Sequence, residues 1–596
     1  MITRHMRRTA GVAAALLVIL LGLAVVPAPA QESPTGQENP PAQDTPPTQD
    51  GEGAFPKNLP PTMIIVNGQV WTGIPNAPEQ EAIAITKNRI TAVGTSQEIA
   101  ALANNLTRVI DAGGRRVIPG ITDSHTHIIG TGLQLQRIYV RNARNRQEFV
   151  ELITAAVTKL SPGQWLLGGR YSVDSWEDPS PPCKEWIDPV TQGVPVFLSR
   201  MDGHQGLANS MALKFAGIDR NGPPDPPGGE IVRNPDTNEP TGVLKDAAME
   251  LVQKRIPVED KNARLWALQL AMQSMNAWGI TSVHDMSDPD DLPIFMTAHQ
   301  KDALSVRIRS YVQTMDFKNM LPTMQAIIPM TDDRFRIAGF KAYMDGSLGS
   351  RTAWMKRPYT DAEPGAKNPR GLRSAHASDL EAFAADIRWA HDRNLQMAVH
   401  AIGDQANHEI LDIYESLPSA GERRHRIEHC QHLLPEDIKR FADIGVIASM
   451  QPYHKADDGR YAETAIGPTR AQTSYAFKDL IQSGAVVCFG SDTPVVPANP
   501  FAAIMTARRG ETLDGDVWIP EQRISLEQAL FCYTVSPTYA AFMEDRLGTI
   551  QVGKLADIAI LNTDILNASA DQVPQTESVM TIMDGKIVWQ SPQSTP

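Results

Sequence analysis

Short apolar runs of strand length recur through the middle of the chain, and longer stretches of helical period separate them. The runs end near Asp123, His284, Val312, Met344, His400, His429, Met450 and Ser491. Between them, NARLWALQLAMQSMNAWG (262–279) and DLEAFAADIRWAHDRN (379–394) repeat apolar residues every three to four positions, the spacing of an amphipathic helix. Eight such strands with crossover helices predict an α/β fold of the (β/α)8 TIM-barrel type.

The two ends of the chain follow a shorter period. Residues 62–115 alternate in TMIIVNGQVWTG, AIAITKNRITAVG and TRVIDAGG, with Asn67-Gly68 and Lys87-Asn88 marking hairpins. Residues 547–590 repeat the style in LGTIQVGKLADIAILN and VMTIMDGKIVWQ. Neither segment has enough strands for its own core. Residues 62–115 and 546–596 are therefore predicted to pair as halves of one small β-sandwich, with the barrel at 116–545. About 150 residues separate the first and second barrel strands, far more than one unit needs. They hold the strand-like runs WLLGGRY (165–171) and VPVFLSR (194–200) and the Pro/Gly-rich NGPPDPPGGE (221–230). The segment from about 140 to 245 reads as an inserted subdomain covering the catalytic mouth.

The extreme N-terminus departs from both patterns. Arg4, Arg7 and Arg8 precede the apolar run 10–26, and Ala28-Pro29-Ala30 supplies small residues before Gln31. This is the order of a cleavable signal peptide over 1–30, so the chain is expected to be exported to a periplasm or secreted. Arg7-Arg8 leaves twin-arginine export open beside the general route. Residues 31–61, rich in Pro, Gln, Thr and Glu, read as a disordered linker. The net charge of −13 with no basic run argues against a nucleic-acid partner. No membrane association is expected once the leader is removed, and the partner is a small-molecule substrate, with a homodimer left open. The four cysteines show no C-x-x-C spacing and name no disulfide pair.

Candidate chemistry collects at the strand ends. VIPGITDSHTH (117–127) delivers His125 and His127, RIAGFKAYMDG (336–346) Lys341, QMAVHAIGD (396–404) His400, RIEHCQHL (426–433) His429, and VVCFGSDTP (486–494) Asp492. His125 and His127, at i and i+2, point to one face of an extended segment. Neutral imidazoles there bind a divalent cation at about 2.0–2.1 Å. Strand ends of a parallel barrel meet at one mouth, so side chains distant in sequence converge on one metal. His432, three residues after His429, is read as supporting rather than ligating. His284 faces the barrel interior, and Tyr453 and His454 line the pocket.

These stretches, together with DGHQGLANSMAL (202–213), KAYMDGSLGSRTAW (341–354) and VGKLADIAIL (552–561), resemble the amidohydrolase superfamily. The likeness is to its family 3 branch, which holds N-substituted formamide deformylase-like and D-aminoacylase-like members. It covers nearly all of 62–590. It implies a metal-dependent amidohydrolase acting on a non-peptide C–N bond of an N-acyl or N-formyl small molecule. It assigns His125 and His127 to one divalent metal and His400 and His429 to a second, with Lys341 bridging as a carbamate. An unmodified ammonium cannot ligate, having no lone pair; the alternative for Lys341 is an ion pair. The metals are expected to be two zinc ions, with iron, manganese or cobalt open. Asp492 takes the place of the general base, against the alternative of a helix cap. His204 in the DGHQ motif, Asp345, and Arg351 with its fork of donors are the candidate substrate contacts. Two other functions compete, a one-metal deaminase of a heterocycle and a non-catalytic ligand-binding member of the fold.

Overall fold

The computed structural model describes residues 59–160, 163–174 and 176–592. The leader read over 1–30, and all but the last three residues of the linker read over 31–61, lie outside them.

Eight parallel strands build the barrel: β1 Ile121–Thr126, β2 Ile280–Ser287, β3 Arg307–Gln313, β4 Phe335–Tyr343, β5 Gln396–Ala401, β6 Arg426–His429, β7 Ile447–Met450 and β8 Val487–Phe489. They lie side by side in chain order, as right-handed crossovers require. Their helices start on caps legible in sequence. Asp260, Asp316 and Asp379 each accept from the backbone N–H three residues on, opening Lys261–Ala277, Phe317–Ile327 and Leu380–His391. Apolar faces of these helices pack on the strands; Phe317 stacks on Phe340 of β4 with ring centroids 4.4 Å apart.

Polar contacts join β1 to the end of β8. Asp123 accepts from the Ser491 backbone N–H (2.8 Å) and hydroxyl (2.6 Å). The Asp492 N–H donates to the His125 carbonyl at 2.7 Å, and the His127 N–H to that of Thr493 at 2.9 Å. The approach is close enough to demand glycine: a Cβ on Gly490 would lie 2.5 Å from the His125 nitrogen. The contacts that bring the barrel's edges together thus also align two histidines with Asp492.

The ends of the chain form two sheets. One has four strands, all from 63–111; the other has five, with strands at 69–70 and 116–119 joined by Ile558–Leu561, Ser578–Met583 and Lys586–Gln590. Their inner faces share one core containing Ile65, Ile83, Val117, Ile558, Ile560 and Ile582. Lys87-Asn88 does turn a hairpin between 82–86 and 89–94. Asn67-Gly68 does not. The strand before it pairs with 82–86, while 69–70 pairs with 116–117 in the other sheet, so this turn carries the chain between sheets. The insertion folds as a six-stranded mixed sheet from Ile138 to Asp246.

Candidate metal centre

A cavity of about 650 Å³ opens at the C-terminal ends of the barrel strands and is walled on one side by the insertion. His125, His127, Lys341, His400, His429 and Asp492 all line it. His125 Nε2 and His127 Nε2 lie 3.4 and 3.3 Å from Asp492 Oδ1. The rings of His125 and His429 are 4.8 Å apart, and those of His429 and His400 4.4 Å. Lys341 Nζ is 3.4 Å from His125 Nε2.

Hydrogen bonds behind the rings decide which nitrogens face the cavity. Glu428 Oε2 accepts from His125 Nδ1 at 2.6 Å, leaving the Nε2 lone pair forward. Gln451 Oε1 does the same for His429 Nδ1 at 2.8 Å. Such partners fix the tautomer of metal-binding histidines. Glu428 is itself clamped by Arg426, whose Nε donates at 2.8 Å and Nη2 at 3.1 Å. Burial works against the Glu428 charge, but Arg426 and then His125 hold its carboxyl well below the ordinary range. Arg426 also donates to His284 Nδ1 (2.6 Å), the Ser124 carbonyl (2.6 Å) and the Ser449 hydroxyl (2.8 Å).

The donor set fits divalent cations. Asp492 Oδ1 is buried and accepts no hydrogen bond, and His454 Nε2 is buried without a partner. Buried polar atoms left this way ordinarily have a partner of some kind. Among the described residues, two groups bring their ligand atoms within 4.8 Å of one another: His125, His127 and Asp492, and His429, His454 and Asp492. Burial lowers His125 to about 4 and His400 and His429 well below the usual imidazole value, so all three are neutral imidazoles at pH 7. Burial likewise lowers Lys341 to about 8, and no carboxylate pairs with it among the described residues. Its ammonium instead lies over the Tyr343 ring, 4.5 Å from the ring centre.

Other predicted residues take different places. His400 Nε2 contacts the Gly346 carbonyl at 2.9 Å, which leaves the lone pair on Nδ1. His204 reaches the cavity, its ring 5.1 Å from that of His400 and its Nδ1 2.7 Å from Asp246 Oδ1. Asp345 lines the cavity too, yet its carboxylate accepts from the backbone N–H groups of Ile402 (3.0 Å), Gly403 (2.8 Å) and Trp354 (2.8 Å), which makes it a loop anchor. Arg351 is not a wall residue. Its guanidinium grips Asp361 at 2.6 Å and the carbonyls of Leu348 and Gly349. His284 lies inside β2, three residues before its end, on Arg426. His432 Nδ1 contacts the Ser474 hydroxyl at 2.7 Å.

Sequence reasoning missed Arg426 and Glu428 and underrated His454. The signal for the first two was present: two opposite charges at i and i+2 in a strand that is otherwise buried. His454, in the first turn of the helix after β7, stacks with His429 at 6.2 Å and 10°.

Residues 108–589 match the model of the Amidohydrolase family. Among curated proteins, the chain is 35% identical over 526 residues to Protein LONG AFTER FAR-RED 3 of Arabidopsis thaliana, covering 85% of this chain and 88% of that one. It is 25% identical over 540 residues to N-substituted formamide deformylase of Arthrobacter pascens, covering 88% and 97%. Among solved structures, an uncharacterized metal-dependent hydrolase from Pyrococcus horikoshii shares the fold at a TM-score of 0.67 and 24% identity, over 86% of this chain and 99% of the other.

Proposed function

This chain belongs to the amidohydrolase family, and we propose that it hydrolyses the C–N bond of a non-peptide amide, N-acyl or N-formyl, in a small molecule. The observation that carries the reading is Asp492 Oδ1, buried with no donor and flanked by the Nε2 atoms of two histidines. Likeness to the Arthrobacter deformylase supports the bond type. His125 and His127 with Asp492 would hold one cation, and His429, flanked by His400 and His454, a second. Lys341, its amine made less basic by burial, would supply an anionic oxygen ligand once carboxylated by carbon dioxide. When bound, such cations polarise a carbonyl and bring the pKa of a coordinated water towards about 7. Asp492 would take a proton from the attacking water and deliver it to the leaving nitrogen. Glu428 keeps the His125 Nε2 lone pair forward while this happens. The charged, apolar and small-residue order over 1–30 supports a cleaved signal peptide, which would put the reaction outside the cytoplasm.

The test pairs metal analysis with a panel of N-formyl, N-acyl and heterocyclic amine substrates. Near two equivalents of metal in bicarbonate buffer, with acid and amine released from amides, is expected. Ammonia release from heterocycles with one equivalent would make it a deaminase. Metal bound without turnover of any member would make it a binding protein.

A further inference from the structure

The cavity wall contains six lysine and arginine side chains, and four of them are already paired. Arg137 is held by Glu259, Lys254 by Glu250, Arg264 by Asp291 and Arg373 by Glu409. The fifth is Lys341 of the metal centre. The sixth, Arg170, has no carboxylate partner among the described residues. Nη1 donates to the Met201 carbonyl at 3.3 Å, and Nε is buried and donates to nothing.

The backbone is bent to put Arg170 there. It lies at the end of the inserted strand Leu166–Tyr171 with φ at +61°, directly after Gly168 and Gly169, whose φ values are +120° and +103°. A positive φ in a long side chain is uncommon and costs free energy, of order 1–3 kcal/mol in sparsely populated regions. The glycines cannot be replaced cheaply, since a Cβ on Gly168 would lie 2.3 Å from the Ile138 carbonyl oxygen. Burial pulls the guanidinium down to about 10, and the opposing charge felt most strongly is that of Asp492, the acid of the metal centre. Arg170 therefore stays cationic at neutral pH and faces the same space as the reacting bond. Arg170 is half-buried as a side chain, yet its Nε is out of water, and a charge held in this way calls for a partner.

We propose that Arg170 is a specificity residue of this cavity and that the substrate carries a carboxylate, held by the guanidinium while the amide lies at the metal centre. The proposal rests on the reading of this cavity as the seat of amide hydrolysis. A single planar fork matches one carboxylate through two parallel N–H···O bonds. Charge-assisted pairs of this kind discriminate against a neutral analogue by about 10- to 100-fold.

The test uses metal-loaded protein and three probes, N-benzoylglycine, N-benzoyl-β-alanine and N-benzoyl-4-aminobutyrate, each beside its own carboxamide. The three spacers sample the distance from amide to carboxylate. Binding is followed by calorimetry and hydrolysis by release of benzoate. At least one acid should bind about 10- to 100-fold more tightly than its carboxamide. Arg170→Gln should bring that ratio close to one, and Arg170→Lys, which keeps charge without the fork, to an intermediate value. No preference for any acid in the wild type overturns the proposal. So does a preference that survives in Arg170→Gln, since the carboxylate would then lie on the metal centre. If Arg170→Gln does not fold, an Arg170→Lys ratio equal to that of the wild type overturns it as well. An Arg170-dependent preference with no benzoate released from any probe leaves the carboxylate subsite standing and removes amide hydrolysis.

Discussion

Asp492 and Glu428 are both buried carboxylates beside His125, and their partners give them opposite duties. Glu428 has Arg426 on one side and an imidazole on the other, so both oxygens are engaged. Asp492 keeps Oδ1 free of donors. The difference predicts two distinct losses. Asp492→Asn retains size and shape, so melting temperature should barely move while turnover falls by at least the 10²–10⁴-fold typical of a lost acid–base group. Activity within tenfold of wild type would leave Asp492 as a structural residue. Glu428→Gln lets the His125 tautomer relax and should weaken metal affinity by about 10- to 100-fold, read by competition with a chelator. If metal affinity stays at the wild-type value, Glu428 is not what orients His125. At this scale the sequence displayed the histidines and the aspartate, because strand-end position is visible in one dimension. It hid Arg426 and Glu428, whose contacts with His284 and His125 cross to other strands, and it gave no sign that His454 would stack on His429. It also misdirected Arg351, since Asp361 is only one of many acids within reach of a flexible loop.

Strands β5 and β6 pack on the helix Leu380–His391 through a histidine pair with no part in the cavity. His425, just before β6, accepts from the Met397 N–H through Nδ1 at 3.1 Å, and its Nε2 lies 3.0 Å from His391 Nδ1. Burial, with His391 adding to it, lowers His425 to about 3. An unfolded histidine titrates near 6.5. Between those values the unfolded chain binds a proton that the folded one refuses, so stability is full above about pH 6.5 and falls as pH drops towards 3. The slope for one such proton is about 1.4 kcal/mol per pH unit. Chemical denaturation of the metal-loaded protein from pH 7.5 to 4.5 should show His425→Gln with a shallower acid slope by up to one proton, at the cost of lower stability at pH 7.5. Parallel slopes would mean the imidazole protonates in the native state. The barrel strands themselves were legible as apolar runs, to within a few residues at their ends. The turn at Asn67-Gly68 was not, because the local signal for a hairpin says nothing about which sheet the next strand joins.

The sheets from the two ends of the described chain meet on the barrel, and Arg307 ties the C-terminal segment to it. Arg307 opens β3 and is 3% exposed. Its Nε and Nη2 each donate to Asp557 at 2.8 Å, and Nη2 donates to Asp584 at 3.0 Å. Asp557 also accepts from the Asp584 N–H at 2.9 Å, so this cluster fixes the C-terminal hairpin against the barrel floor. Gly279 adds a close backbone approach: with φ at +80°, a Cβ there would lie 2.8 Å from that of Ala559. Removing one partner of a buried ion pair costs about 3–5 kcal/mol, because the remaining charge stays desolvated. Asp557→Ala leaves Arg307 with Asp584 and the Asp333 carbonyl, so the loss should fall near the lower end. It should be concentrated at the junction, since the shared core of the two sheets is untouched. Calorimetry of the wild type should show the barrel and the terminal sheets melting together, and Asp557→Ala should separate a low-temperature step assigned to the terminal sheets. Replacing both charges, as Arg307→Met with Asp557→Leu, removes the stranded cation along with its partner and should restore most of the lost stability. If the double variant is no better than Asp557→Ala, packing at the junction and not the charge pair is what holds the ends of this chain to its barrel.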